Sequence, residues 1–290
     1  MNSKIQWTDQ YVYPRAVRWV LPLLLLLTLQ GCALRVLDAV TPSRGYSLEA
    51  GLAYGDHPRQ TLDYYQATEP KADSPLIVFF YGGSWQEGYK EGYRFVAQGL
   101  AEQGYSVVVP DYRLHPEVQF PTFLEDAALA VAWVEQQFQP EHGLVLMGHS
   151  AGAHMAAMLA LDEQFLNAHS IDRNRIRAWV GLSGPYDFLP LRDPALVDVF
   201  GAADGIPETQ PINFVNAAAP PALLVHGTSD RLVGSFNSSN LAEAMAADGL
   251  EVDLRFYYGL RHVATVANFS VRLRGRSEVF DDVVDYLDRL

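Results

Sequence analysis

The chain has 290 residues, of which 49% are hydrophobic and 19% are charged, and these values exclude an intrinsically disordered protein. The length suffices for one large α/β domain with a full hydrophobic core. The formal net charge of −13 argues against nucleic acid as a partner and against electrostatic docking on anionic lipid, because both bind basic surfaces. Cys32 is the single cysteine, so an intrachain disulfide is excluded.

The N-terminal segment has the pattern of a secretory signal, predicted over residues 1–31. Arg15 and Arg18 precede an uncharged stretch over residues 19–34, which is shorter than the roughly 20 residues of a membrane-spanning helix. Leu29-Gln30-Gly31-Cys32 resembles a bacterial lipobox. The resemblance implies lipid on Cys32 and a cell-envelope location, with the periplasmic face of the outer membrane favoured over the inner membrane. An uncleaved anchor and an ordinary cleaved signal are the alternatives.

The remaining chain divides into a tether and a regular domain. Residues 32–70 are predicted as a tether and an irregular or antiparallel entry segment, in which residues 61–65 form a short edge strand. Residues 71–290 are the predicted domain. Its apolar runs and helical periodicity predict strands over 76–80, 105–109, 144–147, 177–182, 222–225 and 252–257, and helices over 93–103, 121–138, 153–161, 241–247 and 279–290.

The alternation of strands and helices sets the fold class. Strands that are apolar without alternation are buried on both faces, which indicates a mostly parallel sheet with helices on both sides. Residues 183–221 are different, because they are rich in Pro, Ala, Asp and Gly and lack strong periodicity. They are interpreted as a small candidate cap over a pocket, with a long surface connection as the alternative.

Gly148-His149-Ser150-Ala151-Gly152 is the most informative motif. It joins the predicted strand 144–147 to the predicted helix 153–161, and G-x-S-x-G in that context is typical of a nucleophile elbow. The turn is tight, which is why glycine stands two residues to either side of the serine. It projects the hydroxyl out of the sheet, so Ser150 is the predicted nucleophile.

A serine hydroxyl needs a base and an orienting acid to attack an acyl carbon. The chain order with this elbow is Ser, then Asp or Glu, then His. His262 follows the strand 252–257 by a short loop and is the predicted base, whereas structural hydrogen bonds are expected for His226. Asp230 follows the strand 222–225 at its carboxyl end and is the predicted acid. Asp187, one strand earlier, is the alternative acid.

The predicted oxyanion hole comes from a glycine pair. Gly82 and Gly83 directly follow the buried strand 76–80, where glycines let backbone N–H groups approach a substrate. The N–H of Ala151, next to the nucleophile, is the predicted partner donor. Trp85 either lines an acyl pocket or packs under the loop.

Together these motifs resemble the esterase branch of the α/β-hydrolase superfamily, which includes hormone-sensitive-lipase-like esterases, kynurenine-formamidase-like enzymes and prenylcysteine methylesterases. Tyr81-Gly-Gly-Ser-Trp85 is similar to an H-G-G-x-W segment of that branch, with Tyr81 in place of histidine, and Asp111-Tyr-Arg-Leu114 is similar to its D-Y-R-L stretch. The resemblance runs from about residue 76 to the C-terminus. It implies the α/β-hydrolase fold, a Ser150, His262 and Asp230 triad, and neither a metal nor an organic cofactor.

The function expected from this resemblance is that of a serine carboxylesterase. Its substrates would be small-molecule esters with small or medium acyl groups, cleaved through an acyl-enzyme. An amidase or formamidase of the same fold is an alternative. A non-catalytic envelope lipoprotein is another, although it would predict a broken triad. No pattern in the sequence indicates an oligomeric state.

Overall fold

The structure is a computed structural model that describes residues 37–201 and 206–290. The predicted signal segment and Cys32 lie outside the described residues. None of the helices in the described part of the chain is long and apolar enough to cross a membrane.

One mixed sheet organises the described residues, and its eight strands run in the order β1-β2-β4-β3-β5-β6-β7-β8. The two pairs that include β2 are antiparallel and the others are parallel. The strands are β1 (Tyr46–Ala53), β2 (Thr61–Ala67), β3 (Leu76–Phe80), β4 (Val107–Pro110), β5 (Leu144–His149), β6 (Ile176–Leu182), β7 (Ala222–Gly227) and β8 (Val252–Tyr257).

Helices cover the sheet, as predicted for an α/β protein. They are α1 (Arg94–Ala101), α2 (Thr122–Phe138), α3 (Ala151–Leu161), α4 (Glu163–Asn167), α5 (Pro194–Phe200), α6 (Phe236–Ala247), α7 (His262–Ala267) and α8 (Val279–Leu287). Short 3₁₀ turns lie at Lys90–Tyr93, Arg173–Arg175, Pro207–Thr209 and Pro211–Phe214. The strand order and this layering confirm the predicted α/β-hydrolase fold.

The core lies in the middle of the sheet. Every residue of β3, β4, β5 and β7 is buried, which explains why these segments carry unbroken apolar runs. Helix α3 is buried along its whole length, so its sequence lacks a polar face. The carboxyl ends of the parallel strands all lie at the same end of the sheet, and the loops that follow β3, β5 and β7 lie there together.

One prediction about the sheet edge is wrong. Residues 61–65 were expected to form an edge strand, but β2 lies between β1 and β4 and is therefore the second strand from the edge. The edge strand on this side of the sheet is β1, which lies within the predicted entry segment. Most of its side chains are exposed, so β1 lacks the apolar run that marks the buried strands.

The segment 183–221 contains more structure than its composition indicated. Helix α5 begins after Asp193, whose carboxylate accepts a hydrogen bond from the Ala195 amide at 3.0 Å, with Pro194 in the first turn. Two aromatic side chains of the segment 183–221, Phe188 and Phe200, pack against Trp85. The segment therefore lies against the loop that follows β3.

Candidate active site

The serine turn joins β5 to α3 in a strained conformation. Ser150 has φ 56° and ψ −122°, a region that residues with a side chain rarely adopt. A Cβ on Gly152 would lie 2.0 Å from the Phe80 carbonyl oxygen, and one on Gly148 would lie 2.1 Å from the Gly152 carbonyl oxygen. Both flanking glycines are thus required by close backbone contacts. The Ser150 amide donates to the Leu182 carbonyl at 2.9 Å, which ties the turn to β6.

His262 is the first residue of α7 and reaches the serine directly. Its Nε2 lies 2.8 Å from Ser150 Oγ, and the side chain is buried. Two side chains hold its backbone carbonyl. The Thr265 hydroxyl donates to it at 2.9 Å, and His149 Nε2 lies 3.2 Å from it. The imidazole is thus fixed with one ring nitrogen on the serine hydroxyl.

Asp230 meets the other ring nitrogen of His262. Its Oδ2 lies 2.7 Å from His262 Nδ1, while its Oδ1 accepts from the Leu232 and Val233 amides at 2.9 and 3.0 Å. Burial alone would raise the pKa of Asp230, but hydrogen bonds from His226 and His262 outweigh burial and hold the pKa well below its usual range. The carboxylate is therefore ionised and its two oxygens have separate partners.

The alternative acid has a different environment. Asp187 Oδ2 accepts from the Asn240 side-chain amide at 2.7 Å, and the Asp187 backbone amide donates to Asn237. The structure thus brings Ser150, His262 and Asp230 into one chain of hydrogen bonds, whereas Asp187 is bonded to residues of helix α6.

Two further histidines, His149 and His226, lie beside this group, and His154 lies in a separate aromatic cluster. His226 Nδ1 lies 2.8 Å from Ser238 Oγ, and its Nε2 lies 3.0 Å from the Val233 carbonyl oxygen, consistent with its expected structural bonding. Burial lowers the pKa of His149 to about 3 and the pKa of His154 to about 4. The rings of His149 and His154 are therefore uncharged near neutral pH.

The loop over residues 81–90, named here the glycine loop, packs directly on the serine turn. A Cβ on Gly82 would lie 2.9 Å from Ser150 Cβ, and one on Gly83 would lie 2.0 Å from the Glu87 carbonyl oxygen. A Cβ at either position would force its neighbours to shift. The Gly82 amide donates to the Tyr93 hydroxyl at 3.3 Å. Ala151 is the first residue of α3, so its amide is among those without an acceptor in the helix.

An aromatic cluster packs beneath the glycine loop. Trp85 is 3% exposed, and its ring lies 4.8 Å from the ring of Phe200 and 5.0 Å from the ring of His154, measured between centroids. His154 Nε2 lies 2.8 Å from the Thr209 carbonyl oxygen. Of the two roles considered for Trp85, its burial matches packing under the loop. His154 packs in the same cluster.

Sequence reasoning missed one residue at this site. Arg59, between β1 and β2, donates from Nη2 to the Tyr81 hydroxyl at 2.7 Å and to the Gly88 carbonyl at 3.0 Å. Its Nε donates to the Tyr112 carbonyl at 2.7 Å. No motif links Arg59 to the glycine loop, because its partners stand 22 to 53 positions away in the chain.

Comparisons with known proteins identify the family of this chain. A family model named BD-FAE matches residues 62–245, which is more than half of the chain. Isoprenylcysteine alpha-carbonyl methylesterase of Arabidopsis thaliana is 29% identical over 261 residues, covering 81% of this chain and 61% of the relative. Kynurenine formamidase of Salmo salar is 35% identical over 138 residues, covering 48% of this chain and 46% of the relative. The chain thus spans about three fifths of the length of the plant relative.

A solved structure supports the fold. Esterase B from Lactobacillus rhamnosis, inhibited by a tributyrin phosphonate, superposes with a TM-score of 0.76 at 20% identity. The match covers 93% of this chain and 94% of that one. At this level of identity the similarity concerns the α/β-hydrolase fold.

Proposed function

The chain belongs to the BD-FAE family, and from this membership we propose that it is a serine carboxylesterase. The observation that carries the proposal is the pair of contacts on one imidazole. His262 Nε2 lies 2.8 Å from Ser150 Oγ, and His262 Nδ1 lies 2.7 Å from Asp230 Oδ2. This is the arrangement that makes a serine hydroxyl nucleophilic. Ester hydrolysis is also the activity named for the plant methylesterase.

In the proposed mechanism, Ser150 Oγ attacks the carbonyl carbon of the ester as its proton moves to His262 Nε2. Asp230 holds Nδ1–H and stabilises the imidazolium that forms. The amides of Gly83 and Ala151 stabilise the oxyanion, whereas the Gly82 amide, the third donor predicted from the sequence, donates to the Tyr93 hydroxyl. His262 then gives the proton to the departing alkoxide, which leaves as alcohol, and an acyl-enzyme remains.

The second half of the reaction repeats these steps with water. His262 takes a proton from water, whose oxygen attacks the acyl carbon, and Ser150 leaves with the proton returned by His262. The carboxylic acid is released and the site is restored. The residues proposed here need no other group for either half-reaction.

The substrates proposed are small-molecule esters with small or medium acyl groups. The test is a panel of p-nitrophenyl esters graded by acyl length, given to the full-length protein and to Ser150→Ala. Turnover of the short esters that disappears in Ser150→Ala supports the proposal. A folded protein that hydrolyses no acyl compound contradicts it and favours a non-catalytic envelope protein.

Hydrolysis of an amide is the second candidate function. The observation in its favour is the match to kynurenine formamidase of Salmo salar over 138 residues. An N-formyl aromatic amide discriminates between the two reactions. Turnover of that amide without turnover of the p-nitrophenyl esters would replace the esterase proposal.

We further propose attachment to the cell envelope through lipid on Cys32. This proposal rests on the lipobox-like Leu29-Gln30-Gly31-Cys32, which lies outside the described residues. The lipid would hold the enzyme at the membrane and would take no part in catalysis.

A further inference from the structure

Both ends of the glycine loop are held by groups from outside it. Arg59 Nη2 donates to the Tyr81 hydroxyl at the start of the loop and to the Gly88 carbonyl near its end, at 2.7 and 3.0 Å. Its Nε donates to the Tyr112 carbonyl at 2.7 Å. One planar guanidinium therefore joins three oxygen atoms from three separate places, which a lysine ammonium on its flexible stem cannot reproduce.

A carboxylate completes the same connection. Asp111 Oδ1 accepts from the Tyr81 hydroxyl at 2.8 Å and from the Lys90 backbone amide at 2.9 Å. It also lies 3.6 Å from Arg59 Nη2. Tyr81 is fully buried, and its ring stacks on that of Tyr112 with a centroid distance of 4.6 Å. The Tyr81 hydroxyl thus links Arg59 to Asp111, and Asp111 in turn binds the far end of the loop at Lys90.

The loop has little freedom to shift without changing the site. Gly82 follows Tyr81 directly, and a Cβ on Gly82 would already lie 2.9 Å from Ser150 Cβ. Donors that stabilise an oxyanion must be fixed before the negative charge develops, and displacements of about 1 Å reduce rates strongly. What holds Tyr81 therefore also sets the position of the amides after it.

We propose that Arg59 is a positioning residue for the oxyanion hole, acting through Tyr81 and Gly88. The inference rests on the proposed esterase function and deepens it. Arg59 touches neither Ser150 nor His262 and is 29% exposed at its side chain, so its contribution is to the geometry of the glycine loop rather than to the hydrophobic core.

The test compares Arg59→Met and Arg59→Lys in the full-length protein with p-nitrophenyl acetate. We expect kcat to fall at least about fivefold in both variants while KM changes less than about twofold, because misplaced donors weaken only transition-state binding. The inhibition constant of a trifluoromethyl ketone, whose adduct oxygen occupies the hole, should rise by the same factor as kcat falls. The matching methyl ketone should bind unchanged.

Arg175→Met is the matched control. Arg175 also bonds a carboxylate and a carbonyl, Glu135 and Pro140, and has a similar side-chain exposure of 34%. It lies just before β6, at the amino ends of the parallel strands and opposite the glycine loop, so kcat and the ketone affinity should stay unchanged. Equal losses in the Arg175 and Arg59 variants would mean a general structural effect and would overturn the inference.

Tyr81→Phe tests whether Arg59 acts through the Tyr81 hydroxyl. It also provides a second test if an Arg59 variant does not fold. Removing the hydroxyl should reduce kcat as Arg59→Met does, and the double variant should be no slower than the slower single variant. Additive losses, or a kcat within fivefold of wild type in both Arg59→Lys and Tyr81→Phe, would overturn the inference. Absence of ester hydrolysis in the wild-type protein would instead overturn the proposed function.

Discussion

Replacing Asp230 by asparagine is the perturbation whose consequence follows most directly from the contacts. Asp230 Oδ1 accepts from two backbone amides, of Leu232 and Val233, at 2.9 and 3.0 Å. In Asp230→Asn the side-chain carbonyl must stay on those donors, so the NH₂ group faces His262 Nδ1. The imidazole then accepts at Nδ1 and carries its proton on Nε2, where it can no longer take the proton of Ser150.

The expected loss in kcat is about 10⁴-fold, or about 5 kcal/mol of transition-state stabilisation, with little change in KM. The measurement is steady-state hydrolysis of p-nitrophenyl acetate, with circular dichroism to verify folding. Asp187→Asn is the matched control, because Asp187 bonds Asn240 instead of the imidazole. That variant should keep its activity. A variant of Asp230 that retains more than about a tenth of the wild-type kcat, or an equal loss at Asp187, would refute the assignment of the acid.

Three further predictions concern buried groups and the anchor. Burial lowers the pKa of His154 from 6.5 in the unfolded chain to about 4, so the free energy of unfolding falls as the pH drops between these values. Between pH 7 and pH 5 in urea unfolding, His154→Gln should lose about 2 kcal/mol less of this free energy than the wild-type protein does. An equal loss in both proteins would contradict the prediction. Gly82→Ala would place Cβ 2.9 Å from Ser150 Cβ and should lower kcat on the order of 100-fold in a protein that still folds; wild-type turnover would contradict the tight loop contact. Labelled palmitate should enter the wild-type protein but not Cys32→Ala, and equal labelling would exclude the anchor.

The buried part of the fold was predictable because burial leaves a direct mark on sequence. Strands β3 and β5 are covered on both faces and appear as apolar runs. The predicted strand 252–257 also coincides with β8, although β8 is only partly buried. Strand β1 has exposed side chains on both faces, so its pattern could not be distinguished from that of a loop. Helix α5 did leave a signal in Asp193 and Pro194, a capping residue followed by proline, which composition alone obscured.

The residues proposed for catalysis were found because each follows a strand end in a motif of its own. Parallel strands place their carboxyl ends together, so the Ser150, Asp230 and His262 loops had to be neighbours in space. Arg59 could not be found in this way. Its three bonds are to two backbone carbonyls and one hydroxyl, and backbone acceptors leave no residue-specific trace in the sequence. Only the folded chain reveals that a loop before β2 holds the glycine loop after β3.

In the proposed mechanism, one serine oxygen, activated by one imidazole, carries the acyl group. The most direct measurement is covalent labelling by a p-nitrophenyl alkylphosphonate, followed by peptide mass spectrometry and a parallel assay of ester hydrolysis. We expect one adduct per chain, on Ser150, with activity lost in proportion to labelling and no adduct in Ser150→Ala or His262→Gln. Labelling of another residue, or full labelling of Ser150 with esterase activity intact, would contradict it.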